Sequence, residues 1–248
     1  MMTDPSTGTS TGTGTGAGTG AAASRAPRMP AYPRTGAIPL PGRVPQGPAV
    51  VALGGGHGLS VTLQALRHLT RRLTAVVTVA DDGGSSGRLR RDLGLLPPGD
   101  IRNCLVALAD NEDLLARLFQ HRFEAGEGLT GHSFGNLFLA ALTEITGDFP
   151  QAILTAEKIL SVRGRILPAT LADLALRATT VAGRVVEGES AIGRAGEPIG
   201  RVELVPEAPP AYPPAVAALE RADLVLLGPG SLYTSVLPNL LLPQIRAA

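Results

Sequence analysis

The residues Ala49-Val50-Val51-Ala52-Leu53, followed by Gly54-Gly55-Gly56-His57-Gly58, decide the fold of this 248-residue chain. The unbroken apolar run predicts a short strand that is buried on both faces of a sheet. The glycines predict a turn at the end of that strand. Leucines then recur at helical intervals, which predicts an amphipathic helix after the turn. These leucines are Leu59, Leu63, Leu66 and Leu69.

A second apolar run, rich in β-branched residues, covers residues 73–80 and completes a strand–helix–strand unit. Because such a unit makes its two strands parallel, the chain is predicted to be an α/β protein with a mostly parallel sheet flanked by helices. The apolar residues 223–227 predict a further strand of this sheet. Residues 164–205 alternate strand-like pattern with glycines, which predicts a small antiparallel β excursion.

The composition excludes several classes of protein. The 22 basic and 21 acidic residues nearly cancel, so the clustered basic face of a nucleic-acid-binding protein is not expected. The single cysteine, Cys104, excludes an intrachain disulfide and fits a reducing compartment. No apolar run is long enough to span a membrane, and the N-terminus lacks the apolar core of a signal peptide. We therefore expect a cytoplasmic protein without membrane insertion.

Residues 1–46 differ in composition from the rest of the chain. A tract of Thr, Gly and Ser is followed by Pro and Ala, and such a segment cannot bury enough apolar surface to offset the entropy of ordering it. We expect a disordered low-complexity tail here and one domain over residues 47–248. The chain stops soon after its last predicted strand, so we expect this domain to be truncated at its C-terminus.

The glycine-rich turn is a candidate site for phosphate. Glycines between a buried strand and a helix let backbone N–H groups face an anion at the helix N-terminus, where the helix dipole favours negative charge. The dinucleotide-binding fingerprint is only partly matched, because Leu59 stands where a third small residue is needed. A P-loop is excluded, because the one lysine of the chain is the distant Lys158. A purely structural tight turn remains the alternative.

Acidic residues end the second predicted strand. Asp81 and Asp82 precede the loop Gly83-Gly84-Ser85-Ser86-Gly87, which is expected to be mobile or to fit closely around a ligand. Carboxylates at this place in an α/β sheet accept hydrogen bonds from a ribose or coordinate Mg²⁺. The alternative is that they only shape a turn.

Two further motifs open predicted helices. In Pro98-Gly99-Asp100-Ile101-Arg102-Asn103, the expected role of Asp100 is that of an N-cap, and Arg102 and Asn103 lie where they can reach an anion or a base edge. In the motif of residues 131–136, His132 either binds a phosphate, acts as an acid or base, or is structural.

The last motif, Gly228-Pro229-Gly230-Ser231-Leu232-Tyr233-Thr234-Ser235, follows the late strand and is a second candidate for anion binding. Ligands of open α/β sheets bind beyond the carboxyl ends of the strands. The segments 54–58, 81–87 and 228–235 all follow strand ends, so they are expected to meet at one site.

Together these motifs resemble the YvcK family, also called gluconeogenesis factors. The similarity covers about residues 48–246 and rests on many motifs in the same order. The motifs are residues 54–59, 77–89, 97–103, 118–123, 131–136, 142–149 and 228–239. The resemblance implies a Rossmann-like fold distantly related to the 2-phospho-L-lactate transferases.

The resemblance also implies a function. Members of the family bind UDP-sugars, in particular UDP-N-acetylglucosamine, and act in cell shape, peptidoglycan synthesis and carbon metabolism without an established catalytic activity. No cofactor is implied, and an unidentified protein partner in cell-wall regulation is expected, with homo-oligomerisation open. The alternative is a CofD-like, Mg-dependent phosphotransferase that uses Asp81 and Asp82, and a dinucleotide-binding oxidoreductase is a third interpretation.

Site residues are carried over by position. The diphosphate would be held by Gly54, Gly55, Gly56, His57, Gly58 and Leu59. Asp81 and Asp82 match the acidic residues that lie near metal and substrate in the transferases. The pocket would be lined by Asn103, His132, Ser133 and Asn136, and closed by Gly228, Pro229, Gly230, Ser231, Tyr233 and Thr234. His57 departs from the threonine of many members, so its ring would replace a hydroxyl contact.

Overall fold

A computed structural model describes residues 46–110 and 113–248 of the chain. Its strands are β1 (Val50–Gly54), β2 (Leu73–Val77), β3 (Arg165–Pro168), β4 (Ala175–Thr180), β5 (Val185–Glu187), β6 (Ile199–Val205) and β7 (Leu224–Leu227). Its α-helices are α1 (Gly56–Leu66), α2 (Gly84–Leu93), α3 (Gly99–Leu108), α4 (Asp113–Gln120), α5 (Phe134–Thr146), α6 (Phe149–Ile159), α7 (Glu189–Gly193), α8 (Pro213–Glu220), α9 (Leu237–Leu240) and α10 (Pro243–Ala247). A π-helical turn, Leu232–Val236, precedes α9.

Four strands form a parallel sheet in the order β3-β2-β1-β7. Val50 of β1 lies opposite Leu73 of β2 and Leu224 of β7, so the three strands run in step. Their carboxyl ends consequently meet at one edge of the sheet, where α1 also begins. The strand order reverses at β1, and a crevice at such a reversal is where ligands bind in open α/β sheets.

Strand β1 is buried along its whole length because both faces of the sheet are covered. Val50 and Ala52 pack into a core shared with α1, α3, α5 and α6. Val51 and Leu53 pack on the other face against α8 and the antiparallel sheet. Burial of a side chain such as that of Leu53 contributes about 1.5–3 kcal/mol to folding. The apolar run of β1 therefore contributes side chains to both cores.

The predicted α/β class with a small antiparallel part is confirmed. The antiparallel part, however, begins later in the chain than predicted. Strand β3 lies in the predicted antiparallel segment, yet it pairs in parallel with β2, with Ile166 opposite Ala75. The separate antiparallel sheet has the order β5-β4-β6 and begins only at Ala175. A run as short as residues 166–168 carries no information about its partner strand.

Two local predictions are corrected by the structure. Residues 84–87 form the first turn of α2 instead of remaining a loop, and α1 begins at Gly56, inside the glycine-rich segment. Asp100 is the second residue of α3, and Pro98 occupies the N-cap position, so Asp100 does not cap this helix. Its carboxylate accepts a hydrogen bond from the backbone N–H of Gly56 instead.

Some predictions fall outside the described residues or concern the membrane. Residues 1–45 of the predicted tail lie outside the described part of the chain, while Gln46 accepts hydrogen bonds from Thr70 and Arg71. None of the described helices combines the length and the apolar character that crossing a membrane requires.

Candidate functional site

A cavity of about 310 Å³ lies at the carboxyl edge of the parallel sheet. It opens beyond the ends of β1 and β2, with the π-helical turn that follows β7 on one side. Its wall is polar and charged almost throughout. The lining residues are Gly56, His57, Thr78, Asp81, Gly83, Gly84, Ser85, Ser86, Gly99, Asp100, Arg102, Asn103, Arg122, Asn136, Glu189, Thr234 and Ser235.

The first turns of four helices face this cavity. Gly56 and His57 belong to α1, residues 84–86 to α2, residues 99–103 to α3, and Asn136 to α5. Within the described residues, no side chain caps α1, α2 or α3. Apart from the N–H of Gly56, which the carboxylate of Asp100 accepts, the first backbone N–H groups of these helices have no capping side chain, and the three N-termini lie at one volume. This arrangement favours a ligand with several negative charges.

Glycines bring the surrounding loops close together. A Cβ atom at Gly55 would lie 2.6 Å from both Asp100 Oδ2 and Thr78 Cγ2. A Cβ at Gly58 would overlap the carbonyl group of Pro229, which joins the segment 54–58 to the segment 228–230. The predicted meeting of these segments is therefore found in the structure, and glycine is required because backbone atoms touch there.

Arg102 supplies a buried positive charge at the cavity wall. Its Nη1 donates to Ser133 Oγ at 2.5 Å and its Nη2 donates to Asn103 Oδ1 at 2.8 Å. Ser133 is also the N-cap of α5 and accepts from the N–H of Asn136. Among the described residues, Arg102 Nε and Asn136 Oδ1 are buried without a hydrogen-bond partner. Both residues line the cavity, so the two unsatisfied atoms lie just behind its wall.

A cluster of carboxylates also lies at the cavity, next to the helix N-termini. Oxygens of Asp81, Asp82 and Glu189 all lie within 4.8 Å of one another. Asp81 accepts from the N–H of Gly83, and Asp82 accepts from the N–H of Ser190, both at 2.9 Å. Asp82 thus fastens α7 to the parallel sheet and carries Glu189 into the cavity. Burial raises the pKa of Glu189, and the charges of Asp81 and Asp82 raise it further.

Asp100 is a partly buried acidic group at the site. Burial raises its pKa to about 7, and the neighbouring charge of Asp81 acts in the same direction. The hydrogen bond from Gly56 opposes this shift because it stabilises the carboxylate. Asp100 therefore holds a proton at mildly acidic pH and exchanges it near neutrality.

Comparison with known proteins identifies the family. Residues 50–248 match the family described as 2-phospho-L-lactate transferase CofD. The chain belongs to the CofD family. The match runs from the start of β1 to the last residue, so it includes both sheets and every residue that lines the cavity of this CofD-family chain.

Relatives of high identity carry the name gluconeogenesis factor. The chain is 56% identical over 200 residues to the gluconeogenesis factor of Bacillus subtilis, covering 81% of this chain and 63% of that protein. It is 57% identical over 206 residues to a Nostoc protein that carries the name provisionally, covering 83% of this chain and 45% of that protein. The resemblance stated from the motifs is therefore confirmed.

A solved structure supports the fold of this CofD-family chain. The crystal structure of a protein from Bacillus halodurans superposes with a TM-score of 0.78 at 54% identity, over 80% of this chain and 64% of that chain. The matched part of the chain covers between 45% and 64% of the length of these three relatives.

The predicted site residues separate into two groups in the structure. Those that line the main cavity are Gly56, His57, Asp81, Asn103, Asn136 and Thr234. The others surround it without lining it: Gly54, Gly55, Gly58, Leu59, Asp82, His132, Ser133, Gly228, Pro229, Gly230, Ser231 and Tyr233. Leu59 is fully buried in the core, and the carbonyl of Gly54 accepts from Asn239 and Thr78. The glycine-rich segment therefore contributes only the first two residues of α1, Gly56 and His57, to the cavity wall.

His132 has a structural position. Its side chain is buried, and its Nδ1 lies 3.0 Å from Ser85 Oγ, which links α2 to the turn before α5. Burial and the nearby Arg88 lower the pKa of His132, so the ring is neutral at physiological pH. It stands behind the serines that line the cavity and is not itself in the wall.

Sequence reasoning missed several lining residues. Glu189 comes from the small antiparallel part, where no local pattern marks it, and only its attachment through Ser190 to Asp82 brings it to the cavity. Arg122 is exposed in a turn and reaches the wall while its Nη1 donates to the carbonyl of Gly131. Ser85 and Ser86 lie in the segment 83–87, whose glycines predict a loop, and nothing in that local pattern indicates that the two hydroxyls line a cavity.

The pKa of Asp100 predicts a pH-dependent stability. Since the folded chain keeps a proton that the unfolded chain releases, stability falls as pH rises from about 4 to about 7. We expect Asp100→Asn, which mimics the protonated acid, to match the original chain near pH 4. At pH 8 it should be more stable by up to about 4 kcal/mol. Urea unfolding of both proteins at pH 4, 6 and 8 measures this, and a pH-independent difference would contradict it.

Proposed function

We propose that this chain binds a UDP-sugar, first of all UDP-N-acetylglucosamine, and acts as a regulator in cell-shape maintenance, peptidoglycan synthesis and carbon metabolism. The observation that carries the proposal is the convergence on one cavity of three helix N-termini, none of which is capped by the side chain of its own N-cap residue. A protein partner in cell-wall regulation, a cytoplasmic location and self-association, if it occurs, belong to the same proposal and need separate tests.

The chemistry of the cavity suits a diphosphate joined to a hydroxyl-rich group. The helix N-termini and the guanidinium of Arg102 favour the phosphate oxygens, and guanidinium groups bind phosphate in a fixed geometry. Asp81 and Glu189, which also line the cavity, are acceptors that suit sugar hydroxyl groups. A ligand with both parts uses both kinds of group in the wall, which a simple anion does not. The name gluconeogenesis factor, carried by relatives, supports the link to carbon metabolism.

A CofD-type, metal-dependent phosphotransferase is the second candidate. It is favoured by the family description and by the oxygens of Asp81, Asp82 and Glu189, which form a donor set of the hard kind that Mg²⁺ prefers. These residues would hold the ion, which supplies charge neutralisation for a transferring phosphoryl group. In that case Arg102 would orient the phosphate, and Asp100 would hold or release a proton at its Oδ atoms.

Calorimetric titration separates the two candidates. The chain would be titrated with UDP-N-acetylglucosamine in Mg²⁺ and in EDTA, with GDP and NAD as comparison ligands. Tight binding that persists in EDTA supports the regulator. Binding only with Mg²⁺, or a preference for GDP, favours the phosphotransferase. Absence of binding to the UDP-sugar under both conditions contradicts the proposed function.

Substitutions in the first turn of α1 give a graded prediction. We expect Gly56→Val to weaken UDP-N-acetylglucosamine binding more than His57→Ala does. Gly56 has a φ of +63°, which a β-branched residue rarely adopts, and its side chain would occupy space next to the phosphates. His57 is exposed, so its removal should cost about tenfold at most. Equal or reversed losses in the same titration would contradict the ordering.

A further inference from the structure

A second cavity of about 350 Å³ adjoins the main one. It lies between the segment 192–199, which follows α7, and the π-helical turn after β7. Thr234 lines both cavities, so one residue forms the boundary between them. The two cavities are therefore adjacent to each other, with Thr234 between them.

The two cavities differ in chemistry. Within the described residues, no tyrosine or phenylalanine lines the main cavity, whose wall is charged. The second cavity is lined by Tyr233 and the apolar residues Ile192, Pro198 and Ile199, and its remaining lining residues include Glu197, Ser231 and Thr234. The hydroxyl of Tyr233 donates to the carbonyl oxygen of Ile199 at 3.3 Å, which fixes the orientation of the ring. A fixed aromatic ring beside apolar side chains suits a planar, uncharged group.

The main cavity is too small to hold the base of a nucleotide sugar in addition to its diphosphate and sugar. Its 310 Å³ is at the lower end of the range of about 300–1,000 Å³ that ligand pockets occupy. The proposed diphosphate and sugar already use the helix N-termini and the acceptor carboxylates of this cavity. A base must then lie elsewhere, and the adjoining cavity is the neighbouring volume with an aromatic surface.

We propose that the cavity beside Tyr233 holds the base of the nucleotide whose diphosphate lies at the helix N-termini of the main cavity. The ring of Tyr233 is the contact surface for the heterocycle, and the chain of the ligand crosses at Thr234. The sugar remains in the main cavity, among its polar lining residues. This inference rests on the proposed function, because it assigns an orientation to the proposed ligand.

Two probes separate the subsites. UDP reports on diphosphate and base together, and inorganic pyrophosphate reports on the diphosphate alone. We expect Tyr233→Leu to weaken UDP binding about tenfold or more, the usual effect of losing one base–aromatic contact, and to leave pyrophosphate binding unchanged. Tyr233→Phe keeps the ring and should retain UDP affinity. Leu232→Ala is the matched control, because Leu232 lies in the same turn and is 54% exposed.

Intrinsic fluorescence gives a second readout. The chain contains three tyrosines and no tryptophan, so tyrosine emission dominates. We expect UDP to quench part of this emission, after correction for its absorbance, and the quenching to disappear in Tyr233→Phe although that variant still binds. Quenching that persists in Tyr233→Phe would contradict a base at residue 233.

The outcomes distinguish this inference from the proposed function. If the original chain binds pyrophosphate and UDP-N-acetylglucosamine but Tyr233→Leu binds UDP unchanged, the inference alone fails. If Tyr233→Leu loses pyrophosphate as well, residue 233 supports the whole site and the base subsite is again contradicted. If the original chain binds neither ligand, the proposed function and the inference fail together.

Discussion

Gly58→Ala is expected to lower the free energy of unfolding by about 2 kcal/mol and to weaken UDP-N-acetylglucosamine binding at least 100-fold. Alanine is favoured over glycine in a helix by about 1 kcal/mol, so propensity alone predicts stabilisation. The new Cβ, however, overlaps backbone atoms of Pro229, which cannot rotate away as a side chain can. Overpacking of this kind costs about 3 kcal/mol, and relief of the overlap separates the two segments that border the cavity.

Urea unfolding and titration of Gly58→Ala measure the two effects. The matched control is Gly200→Ala, because a Cβ at Gly200 would lie 3.4 Å or further from its neighbours and the residue is outside the cavity wall. The control should retain affinity. If Gly58→Ala is as stable as the original chain, the contact between the segments 54–58 and 228–230 does not constrain the fold as we describe.

The second large effect is expected for Arg102→Met. Methionine preserves much of the apolar volume of the side chain but removes the guanidinium, so the phosphates lose a charged hydrogen-bond donor. A hydrogen bond to a charged group contributes up to about 3 kcal/mol, which corresponds to roughly a 100-fold loss of affinity. Pyrophosphate and UDP-N-acetylglucosamine should lose affinity equally, because both carry the diphosphate.

Arg67→Met is the matched control, because it removes a largely buried guanidinium that does not line the cavity. Arg67 is similarly enclosed, with a side chain 14% exposed, but its guanidinium donates to the carbonyl groups of Ala107 and Ala109, away from the cavity. The control should retain affinity for both ligands even where it loses stability. Unchanged pyrophosphate binding in Arg102→Met would show that the helix N-termini hold the phosphates without it.

Much of the central fold could be predicted because its pattern is local. The run of residues 49–53 is apolar throughout, and only a strand covered on both faces accommodates that in a parallel sheet. The leucines of α1 repeat at helical intervals, and Leu59 and Leu63 are fully buried.

The first turn of α2 could not be predicted from local preference. Glycine and serine are poor helix formers, so the residues 83–87 indicated a loop. In the folded chain, Gly87 packs against the carbonyl of Asp82, and the hydroxyls of Ser85 and Ser86 are buried against His132 and Asn136. These contacts compensate for low helix propensity, and they form only when distant segments are already in place.

The candidate site, like the fold, has a part that the sequence predicts and a part that it does not. By itself the sequence determined that glycine-rich and acidic segments follow strands of one parallel sheet, and therefore that Gly56, Asp81 and Thr234 come to one edge, since topology alone places strand ends together. Only the tertiary structure decided that Glu189 enters from the antiparallel part, that Asp100 faces Gly56, and that Tyr233 belongs to a neighbouring cavity. The physical reason is that the presence of a strand or helix follows from local periodicity, whereas the pairing of strands and the direction and burial of a side chain depend on contacts between residues far apart in the chain.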